Sequence, residues 1–205
     1  MNTIEGKMSN LSKKGFLDLY YDSIPFIGIN LLWFLLTLPL ITAFPAMAGL
    51  YYATNQLAHG KSAGGSEFFE GFRNYFWVSW CWGLMNIFVI VVLAVNIWFY
   101  GQVKASWADL IRGTSLGLMV IWGSMQFYIF PFLIEQKDRR LKVAVRNTLV
   151  MSLRSPLRTF GLAIGVMALT LIAAQYFAPA LAIFLVSLSA YYANRTVIRT
   201  IDDLL

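Results

Sequence analysis

The sequence predicts an all-α fold, a single domain over residues 1–205 built as a polytopic bundle of five transmembrane helices with short interfacial helices. Two observations predict it. Residues 23–58, 74–103, 113–134 and 159–194 contain no Asp, Glu, Lys or Arg. A transmembrane helix needs about 20 mostly apolar residues to cross about 30 Å of hydrocarbon, and a charge at its centre costs about 2.5–3.5 kcal/mol. All four runs satisfy that requirement. The second observation is composition: 59% of residues are hydrophobic, 16% aromatic and 13% charged, against about 25% charged in an average soluble domain. No linker, low-complexity tract or internal repeat divides the chain.

The two 36-residue runs would each make a helix of about 54 Å, nearly twice the hydrocarbon thickness, so each must break. The first contains Pro39 and Pro45. It is expected to give a span over about 24–42 and then a short helix over 46–57 that lies at or dips into the interface. Spans two and three are expected at 75–100 and 114–134, the latter ending near Tyr128–Pro131. Pro179 suits the first turn of a new helix. The last run therefore divides into a fourth span at 159–177 and a fifth at 179–198.

The net charge of +6 invites a nucleic-acid interpretation, but the distribution argues against it. Seven of the sixteen Lys and Arg residues lie between Glu135 and Arg158, beside predicted spans. Such clustering is expected of a loop held in the cytoplasm. With five spans this loop and the C-terminus are inside, and the N-terminus is external. A rival hairpin, in which the first run enters and leaves on one face, brings Lys7, Lys13 and Lys14 inside as well. Ala46-Met47-Ala48 mimics a signal-peptidase site, but the apolar stretch before it is too long for a signal h-region, so no cleavage is expected.

Chemistry-bearing constellations are few. His59 is the only histidine and Cys81 the only cysteine, which leaves histidine triads and His- or Cys-rich metal sites without their parts. Cys81, in a Trp-flanked run, is expected simply to pack. No catalytic residue, cofactor or metal is expected; a carboxylate pair drawn from Glu67, Glu70, Glu135 and Asp138 is the remaining enzymatic alternative. No predicted span holds an ionisable residue, which disfavours proton-coupled transport. A neutral polar path lined by Asn30, Asn86, Asn96 and Gln126 stays open as a small transporter or channel; otherwise these amides serve as interhelical glue. Gly113/Gly117 and Gly161/Gly165 have the small-xxx-small spacing that permits close helix approach.

Residues 141–153 place Leu141, Val145, Leu149 and Leu153 on one helical stripe, with Arg139, Lys142 and Arg146 on another. The segment is either an interfacial helix on anionic lipid or a docking helix. Phe68, Phe72 and Phe76 share a face ahead of span two. Glu67, Glu70, Phe72 and Arg73, together with Arg139, Lys142 and Arg146, make the candidate cytoplasmic docking set. Broken helices within a membrane are tolerated where protein or a water-filled cavity satisfies the freed backbone groups. That makes the break itself a second candidate site, comprising Asn30, Trp33, Pro39, Thr42, Pro45, Gly49 and Tyr52.

The string Asn30-Leu31-Leu32-Trp33, Leu38-Pro39-Leu40, Thr42-Ala43-Phe44-Pro45-Ala46, Gly49-Leu50-Tyr51-Tyr52, with Phe68 and Phe72-Arg73-Asn74-Tyr75-Phe76 after a polar gap, resembles the YesL-like family of bacterial integral membrane proteins. Length and the run into Ser155-Pro156-Leu157 fit as well. The resemblance implies a multi-pass protein of the bacterial plasma membrane, of unassigned function, often encoded beside carbohydrate ABC importers. It carries over no binding residues. The expected function is thus a non-enzymatic accessory membrane protein, which the resemblance links to carbohydrate uptake, with an ABC transporter or a regulator as partner at the cytoplasmic face.

Overall fold

The computed structural model describes residues 25–176 and 178–203, and every regular element among them is an α-helix. In chain order these are α1 (Pro25–Thr37), α2 (Ala43–Ala58), α3 (Gly65–Asn74), α4 (Phe76–Tyr100), α5 (Ser106–Glu135), α6 (Leu141–Arg154), α7 (Pro156–Tyr176) and α8 (Ala178–Asp202). The contested N-terminal lysines lie outside the described residues.

The first run breaks earlier than expected. α1 stops at Thr37, two residues before Pro39, because the residue preceding a proline is driven out of the helical region. Its 13 described residues span about 20 Å. Leu40 has a φ of 44°, a left-handed conformation that a side chain resists, and its N–H donates to Thr37 O at 3.2 Å. The Thr42 hydroxyl closes the turn by donating to Leu36 O. α2 then begins with Pro45 in its first turn, where a missing N–H has no helical partner to lose.

α2, expected as a short interfacial helix, is enclosed by other helices. It packs against α3, α8, α4 and α5, with Ala46, Ala48, Leu50 and Ala53 fully shielded. Small residues make this possible. A Cβ on Gly49 would sit 2.7 Å from Phe68 O, and one on Gly71 would sit 2.3 Å from Tyr52 Cβ and 3.2 Å from Gly49 Cα. The α2 and α3 backbones therefore touch at a glycine-on-glycine crossing. Phe68, which the helical spacing placed on one face with Phe72 and Phe76, is buried against Gly49. The glycines singled out by spacing behave differently: nothing lies within 4 Å of a Cβ built on Gly113, Gly117, Gly161 or Gly165.

Of the five predicted spans, two correspond to helices that are long and apolar enough to cross a membrane among the described residues, α4 and α5. α5 starts eight residues before the expected 114 and runs through Pro131 to Glu135, so the proline costs one backbone bond without ending the helix. Both helices turn large apolar side chains outward, including Leu84, Phe88, Val91, Val95 and Trp98 on α4 and Leu110, Leu116 and Val120 on α5. Cys81, expected to pack, is exposed on α4. α7 and α8 occupy the positions of spans four and five, with Pro179 in the first turn of α8 as expected. One hydrophobic core draws buried or partly buried side chains from all eight helices.

Candidate functional site at the polar end of the bundle

The ends of α2 and α5 converge on a polar network that the sequence did not disclose. Glu135 is the last residue of α5, where a carboxylate opposes the negative end of the helix dipole and needs donors. Asn55 Nδ2 donates to Glu135 Oε1 at 2.6 Å, and His59 Nε2 lies 2.8 Å from the same oxygen. An ionised carboxylate only accepts, so the His59 proton in this contact is on Nε2. Asn194 of α8 is fully buried. Its amide donates to Tyr51 O at 3.0 Å and Thr54 Oγ1 at 3.1 Å, while its Oδ1 accepts from Asn55 at 3.4 Å. Three helices are thereby tied through side chains that would each be expensive to bury alone. Asn55 and His59 are four apart on one face of α2. That spacing was the available signal; Glu135 stood out only as one of four candidate carboxylates, and nothing in the sequence pointed to Asn194.

A second cluster joins α2, the α3–α4 junction and the basic loop. Tyr52 Oη donates to Glu70 Oε1 at 2.9 Å. Burial first, and the bond to Glu70 second, push the Tyr52 phenol up to about 12. Arg139 donates to Asn74 O at 3.1 Å, capping the C-terminus of α3, and its guanidinium stands 4.8 Å from the Tyr75 ring centroid. Burial raises the Tyr75 phenol above its ordinary value, and Arg139 partly opposes that rise. Of the expected docking set, then, Glu70 and Arg139 meet through two tyrosines. Glu67 does not join them. It accepts the Gly64 N–H at 2.7 Å and the Ser66 hydroxyl at 2.9 Å, and the backbone amides of its own residue and Gly64 hold its carboxyl below the usual range. Phe72 sits in an edge-to-face series between Phe69 and Phe76. Arg73, Lys142 and Arg146 are exposed.

α6 itself is rotated relative to its hydrophobic pattern. It buries Ala144, Thr148, Met151 and Ser152, leaving Leu149 43% and Leu153 82% exposed. Leu141 and Val145 pack partly against the core. Lys142, Arg146, Leu149 and Leu153 consequently form one outward stripe.

The broken-helix residues do not gather around a common space. Asn30 staples α1 to α8, donating to Ser187 Oγ at 2.6 Å and accepting from the Ser187 N–H at 3.2 Å. Trp33 is half-buried and its Nε1 is shielded without a hydrogen-bond partner. Pro39 is exposed, Thr42 closes the turn, Pro45 is buried, Gly49 receives α3, and Tyr52 belongs to the polar end. Of the four amides of the alternative polar path, Asn30 is held by Ser187, while Asn86 Oδ1 accepts from Trp122 Nε1 at 2.7 Å and Gln126 donates to Trp122 O at 3.1 Å. The four candidate carboxylates are also separately engaged, with Asp138 3.6 Å from Arg140. Among the described residues no three His, Cys, Asp or Glu side chains cluster as a metal site.

A cavity of about 510 Å³ opens beside the first network, between the C-terminal ends of α5, α6 and α8. Phe132, Val150, Met151 and Ile201 form its apolar walls, and Glu135, Gln136, Asn147 and Arg154 supply polar groups.

Comparison with curated proteins and with solved structures gave no match. Residues 26–97, from α1 through most of α4, match the model of a family described as a protein of unknown function, DUF624.

Proposed function

We propose that this chain is a multi-pass protein of the bacterial plasma membrane that acts without catalysis, as an accessory subunit receiving a partner on the outward face of α6. One observation carries the proposal. α6 packs inward through small and polar side chains and turns Lys142, Arg146, Leu149 and Leu153 outward. Cations beside uncovered leucines suit a lipid interface or a partner surface better than bulk water. Charge complementarity at such a surface sets encounter and specificity.

The finer topology belongs to the same proposal. α4 and α5 make two crossings, and α7 and α8, at 21 and 25 residues, have the length for two more. α1 is the candidate for a fifth. The basic loop and the C-terminus are cytoplasmic by the positive-inside bias. The YesL-like assignment and a carbohydrate ABC importer as partner rest on the resemblance of the 30–76 string alone, and they name where a partner is to be sought first.

The test is affinity purification of the tagged chain from its native membrane, beside the Lys142→Ala/Arg146→Ala variant. Arg139 is left intact because it caps α3. The expected result is loss of the co-purifying partner at matched expression of the folded chain. Undiminished partner recovery would return α6 to a purely lipid-facing role.

A further inference from the structure

The cavity at the ends of α5, α6 and α8 has a chemistry of its own, and we propose that it binds a small zwitterion: a primary ammonium joined through a few bonds to a phosphate or carboxylate. Two sources share this chemistry, the head group of an ethanolamine phospholipid and a free α-amino acid.

The acceptor side is the end of α5. Both hydrogen bonds of Glu135 fall on Oε1, which leaves Oε2 without a hydrogen bond among the described residues. The next residue, Gln136, donates its amide N–H to Arg140 O at 3.0 Å, while its Oε1 is shielded from solvent and accepts nothing. A buried acceptor in that state is uncommon and calls for a donor. The unsatisfied carbonyls at the end of α5 add partial negative charge at the same place. An ammonium, with three N–H donors and no acceptor, answers Glu135 Oε2 and the helix end together, and a small shift of the Gln136 side chain brings its Oε1 to the same donor.

The donor side is α6. Asn147, Val150, Met151 and Arg154 lie three and four residues apart and line the cavity as one stripe. Arg154 makes no ion pair or hydrogen bond among the described residues. Its forked guanidinium is suited to phosphate or carboxylate. Asp203, which has contacts of its own, also borders the space. A lone cation would leave Arg154 unanswered, and a lone anion would face Glu135; a zwitterion satisfies both ends. The volume of about 510 Å³ falls within the range of small-molecule sites, and the apolar walls can receive a short chain or glycerol portion. This stripe is a different face of α6 from Lys142, Arg146 and Leu153, so the inference does not depend on the proposed docking role.

The experiment uses the purified full chain in two arms. In the first, native mass spectrometry follows lipid retained after exchange into phosphatidylethanolamine, phosphatidylcholine or phosphatidylglycerol. Choline has no N–H, and glycerol has no cation. In the second, titration calorimetry in phosphatidylcholine nanodiscs follows glycine, alanine and leucine. Arg154→Gln and Gln136→Met are compared with the wild type, and Lys142→Ala/Arg146→Ala controls for general surface charge. Preferential ethanolamine-lipid retention, or amino-acid binding, that falls about tenfold or more in both site variants and is unchanged in the control supports the site and identifies its source. Equal retention of the three lipids together with no amino-acid heat overturns it, as does binding that both site variants leave intact. Gln136→Met leaves the Glu135 network untouched but loses the bond to Arg140 O; Arg154→Gln removes no bond among the described residues, so its effect reads the cavity independently of folding.

Discussion

α2 and α4 are both apolar and uncharged, yet they meet opposite surroundings. α2 buries nine of its sixteen residues and α4 only four of its twenty-five. The difference lies in side-chain size. α2 carries Ala46, Ala48, Gly49 and Ala53 where neighbouring helices come close, whereas α4 presents Phe88, Val91, Val95 and Trp98 to the outside. Apolar character therefore marks two distinct roles here: a helix enclosed by protein, and a helix whose environment is supplied from outside the chain.

The sharpest way to break this contrast is at the glycine crossing. Gly71→Leu drives a branched side chain into Tyr52 and the Gly49 backbone, where overpacking costs about 1–3 kcal/mol or more. The expected outcome is a large drop in thermal midpoint in detergent, or loss of folded protein. Val91→Leu, on the exposed face of α4, should leave the midpoint unchanged. An equal loss from both substitutions would remove the distinction between the two helices.

Next in size is the buried network beneath α2. Asn194→Leu keeps volume but strands one Asn55 hydrogen and removes the bonds to Tyr51 O and Thr54 Oγ1, so unfolding should become easier by about 1–3 kcal/mol. The same measurement on Asn96→Leu, on α4, should show little change. A smaller difference is expected within the basic segment. Arg139→Gln loses the cap on Asn74 and the contact over Tyr75, about 1–2 kcal/mol together, while Arg146→Gln, exposed on α6, should cost almost nothing.

The smallest effect is one of pH. Glu67 has its carboxyl depressed by backbone amides at the start of α3. Its contribution is therefore complete above the ordinary carboxylate pKa and is lost as pH falls through the lower, folded value. Amide exchange at Gly64, referenced to the intrinsic rate at each pH, should become less protected on acidification, and Glu67→Ala should abolish that dependence. An unchanged acid profile in the variant would show that the Glu67 bond does not fasten α3.

Fold class was legible because long uncharged runs leave a chain few options but helices. The start and end of α6 and the α7–α8 break were legible for local reasons, in the proline positions and the polar flanks. The break after α1 was foreseen, but its place moved from 42 to 37 because Pro39 acts on the residues before it. What stayed hidden were the partners across the fold. Glycine spacing pointed to Gly113/Gly117 and Gly161/Gly165, whereas the close contacts are at Gly49 and Gly71. In the same way, the leucine stripe of α6 suggested an inward face that Ala144 and Thr148 in fact provide.

By itself, then, the sequence determined that the chain is helical, that it carries long uncharged apolar runs and that its cations cluster in the segment 135–158, since each of these follows from residue type and from neighbours a few positions away. Tertiary structure alone decided that α2 is enclosed, that Asn55 and Asn194 converge with Glu135 across 80 and 139 residues, and that Arg139, though exposed, reaches back to Asn74 and Tyr75. The physical reason is that burial and polar pairing depend on which helix faces which. Helical periodicity describes a face; it does not name what lies opposite.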